Sequence, residues 1–470
     1  MQTHKKGLLA VLALIVVTSA ALAYMNQQRP LPDPLQSSSD GLLTVGARAA
    51  QNKVHLGSDG KVSVALTLAA ADRSNGDDGP VQPVDLVVVL DRSGSMKGRK
   101  IDDARQAVKG LLERLTADDR LALAVYANQV QMIAPLAAMA DARRRQVAAM
   151  VDAIYAGGGT NLGGGLRLGL DTLLREPVAG RQRKVILISD GLANQGITDP
   201  MALAGMAGAA VQNRIGVSTV GVGYDFNEVT MTAIADQGAG RYYFLENPQA
   251  FAQVFQQEFR ASRNVAVSGV EIRVPLAKGV RLVHAGGYPI THEGRQAVIH
   301  PGDLMAGQQR NFYLTFEVPT DKAQVFELGA FQVRYRHDEA VRTLQSGAPL
   351  TVACVADPRE VMASIDKNVW SGQIVQEEYS QLKESVADAI RSGRKDQALN
   401  RIQEYEARNR RINQAVGSAA VAQNLEHGMA GLRQSVEETF AGPPAAVAVK
   451  QKQAAKSLQY ESYQNRRDKK

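Results

Sequence analysis

Cysteine is almost absent from this chain: Cys354 is the single one among 470 residues. An internal disulfide is therefore excluded, and every core must hold without covalent staples. No cysteine follows the apolar N-terminal run, which rules out a lipid-modified N-terminal cysteine. Histidine is missing from residue 56 to residue 283, so a long central segment lacks the commonest general base. Aromatic residues make up 5% of the chain, with one tryptophan. Basic residues are not interleaved with aromatics, and no zinc finger or other nucleic-acid module is present.

What is there describes several globular units. The chain is too long for one ordinary domain, and its hydrophobic fraction of 45% is enough to bury real cores. The formal net charge is +7 and the sequence pI is about 9.3. Most of that excess is local. Residues 441–470 hold seven Lys/Arg against Glu461 and Asp468, a surplus of +5 that leaves +2 for the rest. Such a run reads as a solvated, mobile basic tail rather than a nucleic-acid site.

At the N-terminus, Lys5 and Lys6 precede an apolar run from Gly7 to Met25 that contains Ala21-Leu22-Ala23. A basic start, an apolar stretch and a small-residue pattern fit a signal peptide cleaved after Ala23. The run of about 19 residues is also long enough for an uncleaved membrane anchor. Either way, residues 1–25 are expected to deliver the chain to the periplasm, cell envelope or extracellular space. Residues 26–52, with Pro30, Pro32 and Pro34, read as linker.

Residues 53–80 read as a β-hairpin. Val54 and Leu56 lead to Gly57-Ser58-Asp59-Gly60, then Val62, Val64, Leu66 and Leu68 alternate. From 81 to 262 the pattern becomes strand–helix–strand, with continuous apolar runs at 84–90, 120–126, 184–189 and 215–222. Strands covered on both faces look like this, and the alternation predicts a mostly parallel, doubly wound sheet. Val130, Met132 and Ile133 suggest an antiparallel edge strand. Residues 263–356 return to alternating strands, as an antiparallel sandwich does, and Cys354 falls in one as a packed thiol. An isolated hairpin is marginal alone. The hairpin should therefore pair with this sandwich, making the α/β unit an insertion. Residues 357–440 carry three apolar stripes at helical spacing, led by Val375, Ala398 and Val421, as a small helical bundle does.

The informative stretch is Val87-Val88-Val89-Leu90-Asp91-Arg92-Ser93-Gly94-Ser95-Met96. A strand ends in an acid, and two hydroxyls follow at alternate positions. Ligands of open α/β sheets sit at the carboxyl ends of strands. Gly157-Gly158-Gly159-Thr160 adds a hydroxyl on a glycine loop, and a second apolar strand ends in Asp190. Five oxygen-bearing side chains from three loops can thus meet at one hard cation. Other chemistries fit less well. A phosphoryl-transfer aspartate would want a second acid where Ser93 stands. Ser93 lacks the G-x-S-x-G context of a hydrolase. The glycine loop lacks the G-K-[ST] ending of a phosphate cradle. Asp102 and Asp103 read as first-turn helix acids. His284, His292, His300 and His337 are scattered among strands.

The three-part motif resembles the metal-ion-dependent adhesion site of the von Willebrand factor type A family, over roughly residues 83–260. The resemblance implies that Ser93, Ser95 and Thr160 contact the metal directly or through water, while Asp91 and Asp190 act mostly through water. It implies Mg²⁺, or Mn²⁺ or Ca²⁺, as the ion. It further implies a non-enzymatic module whose electron-poor metal captures an Asp or Glu carboxylate of a partner protein, in adhesion or envelope assembly. No nucleic-acid partner is expected, and membrane association would come through the N-terminal segment. The alternative is a scaffold whose metal merely stabilises the loop face; an envelope hydrolase comes third.

Export makes a direct prediction. The mature protein recovered from cells should begin near Tyr24 on N-terminal sequencing. Recovery of the whole chain from the cytosol with Met1 retained would count against export.

Overall fold

The computed structural model describes residues 37–72, 82–246, 251–337 and 340–467. The N-terminal apolar run lies outside them. Four strands come first: β1 (Ser37–Ser39), β2 (Leu43–Ala49), β3 (Lys53–His55) and β4 (Lys61–Ala70). They correct two expectations. Residues 43–49 are not linker, because β2 pairs antiparallel with β4 from Leu43–Ala70 to Ala49–Val64 and buries Leu43 and Val45 completely. Nor do β3 and β4 form a hairpin. The turn between them bonds elsewhere, Gly57 N donating to Thr320 O at 2.9 Å and Val318 N to Gly60 O at 3.0 Å. Gly60 has φ +66°, and a β-carbon there would stand 2.0 Å from Val318 O. The glycine at that position admits a neighbouring chain rather than closing a tight hairpin.

The α/β unit follows: β5 (Val84–Asp91), α1 (Arg99–Leu112), β6 (Arg120–Tyr126), β7 (Val130–Ala138), α2 (Asp141–Asp152), α3 (Leu162–Arg175), β8 (Gln182–Ser189), α4 (Pro200–Val211), β9 (Ile215–Val222), α5 (Glu228–Gln237), β10 (Ala239–Leu245) and α6 (Phe251–Arg263). The sheet order is β10-β9-β8-β5-β6-β7, parallel except for β7. All eight residues of β5 are buried. Val84, Leu86, Val88 and Leu90 pack into the core beneath α1, α2 and α6. Val87 and Val89 pack into the opposite core beneath α3, α4 and α5. Two-sided covering explains why this strand reads as an unbroken apolar run. Helix α3 lies close to the sheet because Gly165 and Gly169 face it; a β-carbon at Gly169 would approach Val89 Cγ2 to 2.7 Å.

The chain then builds β11 (Val265–Pro275), β12 (Arg281–Ala285), β13 (Thr291–Glu293), β14 (Gln296–Met305), β15 (Gln309–Glu317), β16 (Val325–Gly329), β17 (Gln332–His337), β18 (Ala340–Gln345) and β19 (Leu350–Val355). Two five-stranded sheets, β1-β2-β4-β15-β12 and β13-β14-β11-β17-β18, share one core with a small sheet, β16-β19-β3. Strand β4 pairs with β15 along its length, Lys61 opposite Glu317 and Ala69 opposite Gln309. Strand β3 runs parallel to β19, with Val54 opposite Cys354. The α/β unit is therefore inserted between two parts of a sandwich, and Cys354 is buried in it.

The C-terminal part is helical: α7 (Tyr379–Arg391), α8 (Lys395–Val416), α9 (Met429–Thr439) and α10 (Pro444–Arg467), with short helical segments between and before them. Their apolar stripes meet in a core containing Val386, Ile390, Ile402, Met429 and Val436. Helix α10 corrects the expectation of a mobile basic tail over 441–470. Its cations are used inside the molecule. Arg467 is 2% exposed; its guanidinium pairs with Asp236 Oδ2 at 2.5 Å and stands 3.3 Å from the ring centroid of Tyr288. It also donates to the carbonyls of Gly286 at 3.0 Å and Gly287 at 2.9 Å. Lys456 Nζ meets Glu228 Oε2 and Phe226 O, both at 2.7 Å. A charge is buried only when paired and hydrogen-bonded, and these are. Tyr463 OH accepts from Tyr242 N at 3.0 Å on the edge strand β10. One helix thus binds the α/β unit, the sandwich and the bundle together.

Removing one partner of a buried ion pair leaves the other uncompensated, at a cost of about 3–5 kcal/mol. Arg467→Ala should lower stability by about that amount in chemical denaturation and expose α10 to limited proteolysis. A loss under about 1 kcal/mol would mean that Arg467 does not fasten the helix.

Candidate metal centre

Asp91 ends β5 and is fully buried. Just past it, two loops are fastened by backbone bonds: Gly94 N to Gly158 O at 2.9 Å, and Gly157 N to Arg92 O at 2.7 Å. Asp91 Oδ1 accepts from Ser93 N at 2.7 Å, which turns the chain back over the strand end. The short 3₁₀ turn Gly94–Met96 follows, anchored by buried Met96. This geometry sets Ser93 Oγ 3.0 Å from Ser95 Oγ. Ser95 Oγ in turn donates to Asp190 Oδ1 at 2.7 Å. Thr160 belongs to the same cluster. A β-carbon built on Gly191 would lie 3.3 Å from Ser95 Oγ and 3.7 Å from Thr160 Oγ1, so both hydroxyls face one point beside Gly191. All five residues singled out in the sequence, Asp91, Ser93, Ser95, Thr160 and Asp190, come together at the carboxyl end of the sheet.

Several supporting side chains were not singled out. Ser189 Oγ donates to Asp91 Oδ2 at 2.9 Å. Asn194 Oδ1 accepts from Thr160 N at 2.8 Å, and the Thr160 carbonyl accepts from Asn194 N at 3.1 Å. Asn128 Oδ1 accepts from Gly159 N at 2.5 Å and from Gln195 Nε2 at 2.8 Å. Lys100 Nζ reaches Asp190 Oδ2 at 2.5 Å. Ser189 and Asn194 flank Asp190 closely in sequence and were within reach of a local reading. Asn128 and Lys100 were not, because their partners lie on distant loops. Asp102 stands in the first turn of α1 and pairs with Arg105, as a helix acid does.

The cluster is electrostatically loaded. Burial pushes the Asp91 carboxyl up to about 6, against hydrogen bonds from Ser93 and Ser189 that favour its charge, and the neighbouring Asp190 adds to the rise. Two buried carboxylates, one of them met by Lys100, and three hydroxyls could together hold a cation. The donors are all oxygen, with no histidine or cysteine among them, which suits a hard ion such as Mg²⁺. Among the described residues no group of three or more His, Cys, Asp or Glu side chains could hold a metal, and this centre has only two carboxylates; its remaining donors are neutral hydroxyls.

The family model described as the von Willebrand factor type A domain matches residues 85–257. That segment is a von Willebrand factor type A domain. The chain is similar to the Synechocystis protein sll0103, 27% identical over 333 residues, a match covering 67% of this chain and 73% of the relative. It is similar also to YfbK of Escherichia coli, 29% identical over 178 residues, covering 37% of this chain but only 31% of that protein. In three dimensions the whole arrangement of A domain, strand-rich unit and helices is similar to the von Willebrand factor type A structure from Catenulispora acidiphila. The TM-score is 0.66 at 18% identity, over 92% of this chain and 98% of that one. At such identity the likeness concerns the fold.

The raised Asp91 value predicts a sign. In the metal-free protein this group favours folding when protonated. Its contribution is full below the unfolded value near 4 and is lost as pH rises through about 6. Asp91→Asn should therefore stabilise the chelator-treated protein at pH 7.5, by about 1–3 kcal/mol, and have little effect at pH 4. Denaturant titrations at the two pH values check this, and a destabilised variant at pH 7.5 would contradict it.

Proposed function

We propose that the A domain is a binding module in which Ser93, Ser95 and Thr160, together with Asp91 and Asp190, hold a divalent cation that captures an Asp or Glu carboxylate of a partner protein. Mg²⁺ suits the donor set, and Mn²⁺ or Ca²⁺ would use the same oxygens. The observation that carries this reading is the convergence of three hydroxyls and two buried carboxylates on one point at the carboxyl end of the sheet. When bound, the ion supplies an electron-poor centre for an anionic ligand, because most of its donors are uncharged.

The surroundings favour a protein ligand. Leu192, directly after Gly191, is 57% exposed, and Met201 and Tyr155 are 68% and 74% exposed on neighbouring loops and helix starts. A cavity of about 260 Å³, lined by Leu162, Gly191, Leu192, Asn227 and Met231 among others, opens beside the cluster. A partner can set its carboxylate on the ion and an apolar side chain next to it, the pairing of polar anchor and apolar contact that specific interfaces use. The alternative of a purely structural ion is less well supported, since the loops are already fastened by the bonds between Gly94, Gly157, Gly158, Asn128 and their partners. The cluster contains no histidine, and its two acids are engaged by Ser93, Ser189, Ser95 and Lys100 rather than held beside a hydroxyl nucleophile and a base. Export through residues 1–25 would place this module at the cell envelope. Among the described residues no helix is long and apolar enough to cross a membrane.

A site with a dissociation constant of about 0.1 mM adds about 1.4 kcal/mol at about 1 mM metal by mass action. Thermal stability should rise with Mg²⁺ and fall again with chelator. Asp91→Ala should abolish this response. Thr160→Ala should keep part of it while losing metal-dependent capture of the partner. Full metal response and full capture by Asp91→Ala would remove the proposed site, whereas loss of the metal response with capture intact would favour the structural alternative.

A further inference from the structure

Lys100 is the second residue of α1, and its ammonium rests on Asp190, one of the two buried carboxylates of the proposed metal centre. Nζ stands 2.5 Å from Asp190 Oδ2, while Ser95 Oγ donates to the other oxygen at 2.7 Å. The Asp190 side chain is fully buried and that of Lys100 is 27% exposed. The lysine is seated rather than dangling. Gly223, just after β9, has φ +71°, and a β-carbon there would stand 3.6 Å from both Cε and Nζ. The ammonium is thus held between the end of β9 and Asp190.

Its consequence follows from counting charge. Asp91 and Asp190 together carry −2, which a divalent ion neutralises, and a neutral centre has little electrostatic attraction for an incoming carboxylate. With Lys100 in place the loaded centre keeps one net positive charge. The same ammonium opposes the cation, because like charges within a few ångströms in a poorly solvated pocket repel strongly. We propose that Lys100 sets the charge of the centre, weakening its hold on the cation and strengthening the loaded centre's hold on a carboxylate. This rests on the metal-binding reading above. The lysine, set in the first turn of α1, thereby shifts affinity from the cation to the carboxylate that the cation captures.

The test uses the full chain and two variants, Lys100→Met, which keeps length and removes charge, and Lys100→Arg, which keeps charge. Mg²⁺ affinity is measured by titration calorimetry. Carboxylate affinity is measured with acetate as probe, by its displacement of water from the Mn²⁺-loaded centre in proton relaxation. Lys100→Met should bind Mg²⁺ about tenfold tighter and acetate about tenfold weaker, and Lys100→Arg should stay near the parent in both. Unchanged or weaker Mg²⁺ binding by Lys100→Met would mean that the lysine only buttresses Asp190, and the proposal falls. Tighter Mg²⁺ with unchanged acetate also overturns it, since the lysine would then add nothing to the hold on the carboxylate. If the parent and both variants alike bind no Mg²⁺, the metal-binding reading fails and takes this proposal with it. That outcome is distinct, because Lys100 then makes no difference to anything measured.

Discussion

A carboxylate buried at the end of a strand covered on both faces is the constraint from which the rest of this molecule can be understood. Strand β5 has no solvent on either side, so Asp91 cannot shed its charge into water where the strand stops. Its oxygens must be met by donors, and the chain meets them locally. Ser93 N turns back onto one oxygen, and Ser189 Oγ, from the neighbouring strand β8, reaches the other. That satisfaction bends the chain into the loop that presents Ser93 and Ser95. The second acid, Asp190, raises the charge further and draws in Ser95 and Lys100. The geometry of the proposed cation centre is thus a by-product of solving a desolvation problem with hydroxyls, amides and one lysine.

The same physics operates far from the centre in α10. Buried Arg467 and Lys456 are tolerated because each finds a carboxylate and carbonyl oxygens on other units, Asp236 and Gly286 in one case, Glu228 and Phe226 in the other. Both Asp236 and Glu228 lie on α5 of the A domain. Helix α10 therefore fixes the A domain against the sandwich and the bundle through one of its own helices. It also covers the edge strand β10, where Tyr463 takes up the Tyr242 amide. An edge left bare would invite pairing with other chains. The A domain is an insertion by connectivity, yet it is tied down by side chains that arrive at the other end of the sequence.

What could be read in advance was local. Continuous apolar runs mark β5, β6, β8 and β9, since two-sided burial requires them. The acid, the alternate hydroxyls, the glycine loop before Thr160 and the acid ending β8 occur at short, characteristic spacings, each at the boundary of a legible element. Alternation identified β4 and the later strands, and helical spacing identified the apolar stripes of the bundle. Local reading went wrong where a partner is distant. Residues 43–49 looked like linker because their role is to pair with β4. The turn at 57–60 looked like a hairpin because nothing nearby reveals that Val318 and Thr320 occupy its hydrogen bonds.

The sequence by itself determined the α/β pattern of the A domain, the five oxygen-bearing residues and their strand ends, because periodicity and spacing within a few residues encode them. Only the tertiary structure decided that β3 joins β19, that the basic C-terminal segment is a packed helix, and that Lys100 shares Asp190. Each of these depends on charge or hydrogen bonds meeting across long stretches of chain. A lysine or arginine is indistinguishable from a solvated one until the fold supplies the carboxylate that buries it.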